Sequence, residues 1–275
     1  MTDAGREASQ QHICARLASL GSGSKGNATV VQLGGQTLLV DCGFSVRQVT
    51  QRMERLGLAP GDLDAVLITH EHADHVRGVE ALAHRYAIPI YASHGTLKAA
   101  KFRLPANVIN SHGSFDIGGV RVIPVAVPHD AREPTQFVFE AGGCRVGVLS
   151  DLGCVTPHVI SHYRDCDLLM MESNHDPEML RNGRYPPSLK RRVGGQLGHL
   201  SNAQAADLLG QVGHAALRVV VGHVSEQNNS LANLEATFAP FVGRLASLEI
   251  ADQAAGVAWQ ELAPQRQLDA PAPVS

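Results

Sequence analysis

Six consecutive residues, His70-Glu71-His72-Ala73-Asp74-His75, follow the apolar run of residues 64–68. In extended backbone side chains alternate with period two, so His70 and His72 point the same way, and Asp74 and His75 come where the chain turns into a helix. Three imidazoles and a carboxylate in so short a span are costly to bury without a cation, and a metal is the economical reading. The run contains His-Glu, yet it is not the HExxH helix of a zincin, because position 74 is Asp74. Asp41, His129, Asp151 and His223 each end another apolar run and precede a turn. Four such strand ends in a chain that already carries HEHADH are expected to converge on one rim.

The elements that must position these groups alternate between strand-like and helical patterns. Residues 13–20, 27–34 and 36–43 form an opening meander separated by Gly-rich turns. Ser45 caps a helix whose apolar Val46, Val49, Met53 and Leu56 share one face and which Gly57 stops. A buried strand over 64–70, a helix over 75–86 and a strand over 88–93 come next. Strands over 119–130, 135–142 and 144–151, a helix near 157–163 and a strand over 167–173 follow. Ser201 caps a further helix, residues 218–224 are a strand, 230–243 a helix, and 247–253 and 257–262 closing strands. A meander followed by βα alternation, twice over, predicts two sheets with helices outside and not one doubly wound sheet.

The chain of 275 residues has 44% hydrophobic and 18% charged residues, an ordinary globular balance. It is read as a single domain over 13–262 between flexible tails at 1–12 and 263–275. No apolar run is long enough for a membrane span, and the polar N-terminus lacks the apolar stretch of a secretory signal. Five scattered cysteines without a CxxC pair are expected to be reduced thiols, Cys42 and Cys154 among them as packing residues. A soluble cytoplasmic protein is the expectation. The net charge of −3 means that any nucleic-acid contact must use a local patch.

HxHxDH followed by single His, Asp and His at strand ends resembles the metallo-β-lactamase superfamily. The resemblance implies an α/β fold, the four-layer αββα sandwich, with two divalent metal ions along its edge. Carried onto this sequence it implies His70, His72 and His129 on one ion, and Asp74, His75 and His223 on the other. Asp151 would bridge them, and Asp41 would orient the histidines or the metal-bound water from behind. The stretches LGSGSKGNATVV (20–31), YPPSLKRRVGGQLGHLSNAQAA (185–206) and GHVSEQNN (222–229) are similar to the YycJ-like or WalJ-like branch, small relatives of tRNase Z and RNase J. That branch implies nucleic-acid processing, with DNA more favoured than RNA as substrate and exonuclease action attributed to it.

The expected activity is a dinuclear-metal-dependent phosphodiesterase, most simply a DNA exonuclease, using a hydroxide that bridges the ions. Zinc or manganese suits nitrogen and oxygen donors without thiolate, and iron is possible. Asp74 would hold a metal and orient the nucleophile, while His199 would stabilise charge or protonate the leaving oxygen. Ser201, Asn202, Asn174, His175, Ser225 and Asn228 are candidates for phosphate contact. In the acid-free run 181–192, Lys190, Arg191 and Arg192 are candidates for the phosphate backbone. GSGSKG matches the letters GxGxxG but precedes a strand, so it is either a tight turn or a loop of N–H groups facing a phosphate. Only 71 residues separate Asp151 from His223, too few for a β-CASP domain, and no long tRNA-grasping arm is evident. Retention of His72 disfavours a flavodiiron site. The competing reading keeps the site and changes the bond to a thioester, lactone or other carboxylic ester.

Overall fold

The computed structural model describes residues 14–263. The tails expected at 1–12 and 263–275 lie outside the described residues, except for residue 263. The first sheet holds β1 (Ala15–Gly21), β2 (Ala28–Leu33), β3 (Gln36–Val40), β4 (Ala65–Leu67), β5 (Ile90–Ser93), β6 (Asn107–Ile109) and β14 (Val257–Leu262), in the order β14-β1-β2-β3-β4-β5-β6. The second holds β7 (Phe115–Ile117), β8 (Val120–Ala126), β9 (Thr135–Ala141), β10 (Cys144–Leu149), β11 (Leu168–Glu172), β12 (Arg218–Gly222) and β13 (Ser247–Ile250), in the order β13-β12-β11-β10-β9-β8-β7. Each sheet begins as an antiparallel meander and continues as parallel strands after β3 and after β10. The repeated order of meander and βα alternation is therefore borne out.

Three apolar clusters fill the three interfaces of four layers. Leu38 and Val40 of β3 meet Val146 and Val148 of β10 between the sheets. Leu39, one residue out of phase, faces the other way onto Val49 and Met53 of α1 (Val46–Glu54) and Leu82 of α3 (Val79–Tyr86). On the far side, Val219 and Val221 of β12 pack with Val159 and Tyr163 of α5 (Pro157–Tyr163), Leu208 of α8 (Asn202–Val212) and Phe238 of α9 (Leu231–Phe238). Strand alternation thus gives each sheet two apolar faces, which only helices on both outer surfaces can cover. The result is the αββα sandwich. No helix among the described residues is long and apolar enough to cross a membrane.

The caps expected at Ser45 and Ser201 are both present as reciprocal capping boxes with Gln48 and Gln204. The single helix expected over 75–86 is instead two, α2 (Ala73–Val76) and α3, broken at Gly78. A Cβ at Gly78 would stand 1.8 Å from the carbonyl oxygen of Phe44, and the Gly78 N–H donates to Cys42 at 2.8 Å. The loop after β3 presses so closely there that only glycine fits, and it holds α2 by accepting and donating along its backbone. The short helices α4 (His94–Ala100), α6 (Pro177–Asn182) and α7 (Pro187–Val193) and the strands β6 and β7 carry too little periodicity to be seen in the sequence.

One expectation is corrected. Cys14 and Cys144 form a disulfide across 130 residues, joining the start of β1 to the start of β10. Sequence spacing could not reveal it, because the two strands lie in different sheets and meet only when the sandwich closes. Cys42, Cys154 and Cys166 are free, as expected.

Candidate metal centre

Asp41, Asp151 and His223 follow the C-terminal ends of β3, β10 and β12, and all three have left-handed backbone, with φ of +60°, +49° and +50°. Non-glycine residues rarely adopt it, at about 1–3 kcal/mol each, so surrounding structure must hold them there. Asp41 N–H donates to Leu67 at 2.9 Å, and His223 N–H donates to the Ser22 hydroxyl at 2.6 Å. The ends of the parallel strands, where α/β sheets open a crevice, are thereby turned into one rim.

Four overlapping groups of ligand-type atoms meet at this rim, two through Asp151 with Glu172, His199 and His223 or with His70 and His75, and two that share no residue. His70, His72 and His129 each offer a ring nitrogen, mutually within 4.8 Å, and so do Asp74, His75 and His223 with a carboxylate oxygen and two ring nitrogens. Each buried imidazole is oriented from behind. The Asp41 carboxylate accepts from Thr69 N–H at 2.8 Å and Thr69 hydroxyl at 2.7 Å, and lies 2.8 Å from His75 Nδ1. A carboxylate can only accept, so Nδ1 carries the hydrogen toward Asp41, and Nε2 is the ring atom that would face a cation once its own proton is displaced. His129 Nδ1 likewise lies 2.9 Å from the Gly198 carbonyl, leaving its Nε2 to face His72 Nδ1 at 3.3 Å. His70 Nδ1 lies 2.9 Å from the Thr69 hydroxyl.

Asp151 sits between the groups. Its carboxylate is 3.0 Å from His75 Nε2, 2.9 Å from His223 Nδ1 and 3.9 Å from His129 Nε2. Burial would raise its pKa, but the charges of His223 and His75 outweigh burial and hold the carboxyl well below the usual range. Burial lowers His75, yet Asp151 and Asp41 outweigh it and keep that ring well above the ordinary value. Burial and the neighbouring imidazoles push His70 well below its ordinary value, and burial also lowers His129. These two rings are therefore neutral donors, the state a ligand needs.

The residues fit a metal. His70 is fully buried and its Nε2 has no hydrogen-bond partner, although it stands among rings from His72, His75 and His129 at centroid distances of 4.5, 4.2 and 4.8 Å. An orphaned buried nitrogen at the focus of other donors is what a missing cation leaves behind. His/Asp clusters compatible with a dinuclear site are thus present. We expect Asp41→Asn, which keeps shape and tolerates the left-handed backbone, to weaken metal affinity by about 10–100-fold. Chelator competition on the purified protein measures this, and unchanged affinity would show that Asp41 does not tune the site.

A buried carboxylate absent from the sequence reading completes the rim. Glu172, at the end of β11, accepts from Leu152 N–H at 2.7 Å and Leu200 N–H at 3.0 Å with one oxygen. The other lies 3.1 Å from His199 Nδ1, which is also 3.3 Å from Asp151. Burial would lower His199, but the hydrogen bond and charge of Glu172 reverse this and raise it to about 9. The same signal that marked Asp151, a polar residue ending an apolar strand, was available for Glu172. Asp130 is a second omission: its carboxylate lies 3.5 Å from His129 Nε2, 4.0 Å from His72 Nε2 and pairs with Arg192.

The rim opens into a cleft of about 390 Å³ whose lining includes His72, Asp74, Asp151, His199 and His223. Of the other expected contacts, Asn174, Ser225 and Arg192 also line it. Ser201 is the cap of α8, and buried Asn202 hydrogen-bonds to Ser173 and Asn229, so both serve the framework. Asn228 is buried beside Ser225, and His175 is buried with its pKa lowered to about 4, chiefly by desolvation. Neither is among the residues lining the cleft. Lys190 turns its ammonium to the Arg181 carbonyl, and Arg191 is exposed outside the cleft lining. Around the GSGSKG loop, Gly23 N–H donates to the Asn27 side chain, Lys25 to Gln253, Gly26 to Gly23 and Asn27 to Asp74, while Ser24 lines the cleft. The loop is a strap for the metal ligands, with Asn27 Nδ2 reaching 3.3 Å from Asp74 and 3.0 Å from His75 Nε2.

Known proteins agree with this architecture. The family described as beta-lactamase superfamily domain matches residues 36–224. The chain is 34% identical over 219 residues to exodeoxyribonuclease WalJ of Streptococcus pneumoniae serotype 2, covering 76% of this chain and 81% of that one. It is 33% identical over 217 residues to exodeoxyribonuclease YycJ of Bacillus anthracis, covering 76% and 82%. Among solved structures, the metallo-beta-lactamase fold protein YhfI from Bacillus subtilis superposes with a TM-score of 0.68 at 17% identity, over 90% of this chain and 99% of that one. Family and fold are as the HxHxDH resemblance implied: the chain belongs to the beta-lactamase superfamily, in the group that includes the WalJ and YycJ exodeoxyribonucleases.

Proposed function

We propose that this protein is a metal-dependent nuclease that hydrolyses phosphodiester bonds of DNA from an end. The observation that carries the reading is the junction at the cleft floor. There Asp151, 1% exposed, links imidazoles of both ligand groups and stands beside a histidine biased toward its charged form. The names of the relatives support DNA as the polymer and exonucleolytic action. Arg192 in the cleft lining supports a phosphate ligand.

In this reading His70, His72 and His129 would hold one divalent cation and Asp74, His75 and His223 a second, with Asp151 available to both. The cations would supply Lewis-acid charge to the phosphate and a water acidified toward neutrality. Zinc, manganese or iron suits the donor set, which contains no thiolate. The chain's own residues do the rest. Asp74 orients the attacking water through its carboxylate, itself steadied by Asn27. His199 has Nδ1 committed to Glu172, so its Nε2 holds the transferable proton, which passes to the leaving oxygen. Asp41 keeps His75 in the tautomer that presents Nε2. With DNA as substrate, we place the protein in the cytoplasm.

The test is degradation of end-labelled single- and double-stranded DNA and RNA by protein loaded separately with manganese and zinc. Progressive shortening of DNA is expected, and the fate of the label gives the polarity. Absence of cleavage of every phosphodiester by fully loaded protein, with hydrolysis of a thioester or lactone instead, would overturn the proposal.

A further inference from the structure

The cleft lining is chemically of two kinds. His72, Asp74, Asp130, Asp151, His199 and His223 are polar or ionisable, while Tyr185, Leu189 and Val193, from the segment leading into and along α7, are aromatic or aliphatic. These three side chains are half-buried, belong to none of the three apolar clusters of the fold, and α7 itself buries no residue in the core. An aromatic ring and two aliphatic side chains thus share the cleft lining with the ligand-type residues, outside the three apolar clusters of the described residues.

The apolar part of the lining is tied to the chemistry through the backbone. The Val193 carbonyl accepts from His199 N–H at 2.9 Å, and the Gly198 carbonyl lies 2.9 Å from His129 Nδ1. Arg192, on the same helix, pairs with Asp130, whose carboxylate approaches His129 and His72. The C-terminal end of α7, which follows Tyr185, is therefore tied to His129 and His199. At about 390 Å³ the cleft is at the small end of ligand sites, which run roughly 300–1,000 Å³, so it takes one nucleotide unit at a time.

We propose that Tyr185, backed by Leu189 and Val193, is a specificity-determining platform on which the nucleobase beside the scissile phosphate stacks, while Arg192 exchanges Asp130 for the phosphate. This rests on the nuclease reading above and deepens it. Stacking is sequence-tolerant because every base has a π-face, so the platform selects for the presence of a base and not for its identity.

The test compares oligonucleotides that carry either a natural nucleotide or an abasic tetrahydrofuran residue at the degraded end, using the metal-loaded full chain. Wild type is expected to show a KM lower by about fivefold or more for the natural end, from stacking energies measured at other sites. Tyr185→Ala should raise KM for the natural end by that factor and leave the abasic end unchanged. Tyr185→Phe should match wild type, because the ring and not the hydroxyl is used. Metal content equal to wild type confirms that the variants are folded, and the wild-type comparison of ends needs no variant. Wild type that degrades both ends with equal KM, or Tyr185→Ala that weakens both ends alike, overturns the platform and leaves the nuclease reading standing. Failure of wild type to cleave any DNA overturns both.

Discussion

Asp151→Asn lowers the turnover of metal-loaded protein by roughly a thousandfold or more, the loss of several kcal/mol of charge stabilisation converted to rate. The reason lies in where the carboxylate stands: within hydrogen-bond distance of His75 and His223, and 3.9 Å from His129, it is the one anion common to both ligand groups. The amide keeps the size but supplies no charge to share between two cations and presents an N–H₂ to one of them. The same substitution removes the anion that holds His75 above its ordinary pKa, so in the metal-free chain this ring becomes easier to deprotonate. Steady-state kinetics at saturating metal measure the first effect, and NMR titration of the imidazole the second. A variant with near wild-type turnover would remove Asp151 from the centre of the site.

The second large effect is at His199. His199→Ala is expected to lower kcat by about 10²–10⁴-fold with metal content unchanged, because in the proposed mechanism the side chain supplies a proton, and although its ring lies near Asp151, Glu172 and His223 it is outside the two triads assigned to the cations. Its pH dependence carries a sign. In the proposed mechanism the charged ring is the active form, and its pKa is raised to about 9, so activity is expected at neutral pH and should fall as pH rises toward that value. Glu172→Gln withdraws the raising partner, and the alkaline fall in activity should move to lower pH, while His199→Ala should abolish that limb. A limb unmoved by Glu172→Gln would mean that another group sets it.

Much of this was legible in the sequence because it is local. His70 and His72 come together, ring centroids 4.5 Å apart, as the period-two reading expected, although β4 itself ends at Leu67, and Ser45 and Ser201 announced their helices as N-caps. Asp41, Asp151 and His223 were visible as polar ends of apolar runs, although their left-handed backbone was not. What stayed hidden depends on contacts between distant segments. Gly78 breaks a helix only because Phe44 lies against it. Cys14 meets Cys144 only across the closed sandwich. Of the basic residues in the run 181–192, only Arg192 lies in the cleft lining, since a charge run does not disclose which way a seven-residue helix turns its side chains. Glu172 shows the converse, a signal present in the sequence but masked by the neighbouring Asn174 and His175, whose polar character looked more like a binding loop.

The most direct measurement of the account is the number of divalent ions bound per chain, by elemental analysis after dialysis against manganese or zinc. Two ions are expected for wild type, and one for Asp74→Ala/His75→Ala, which empties one group of ligands and leaves His70, His72 and His129 intact. A wild-type protein that saturates below two ions, or a double variant that still binds two, would contradict the dinuclear centre on which the nuclease reading stands.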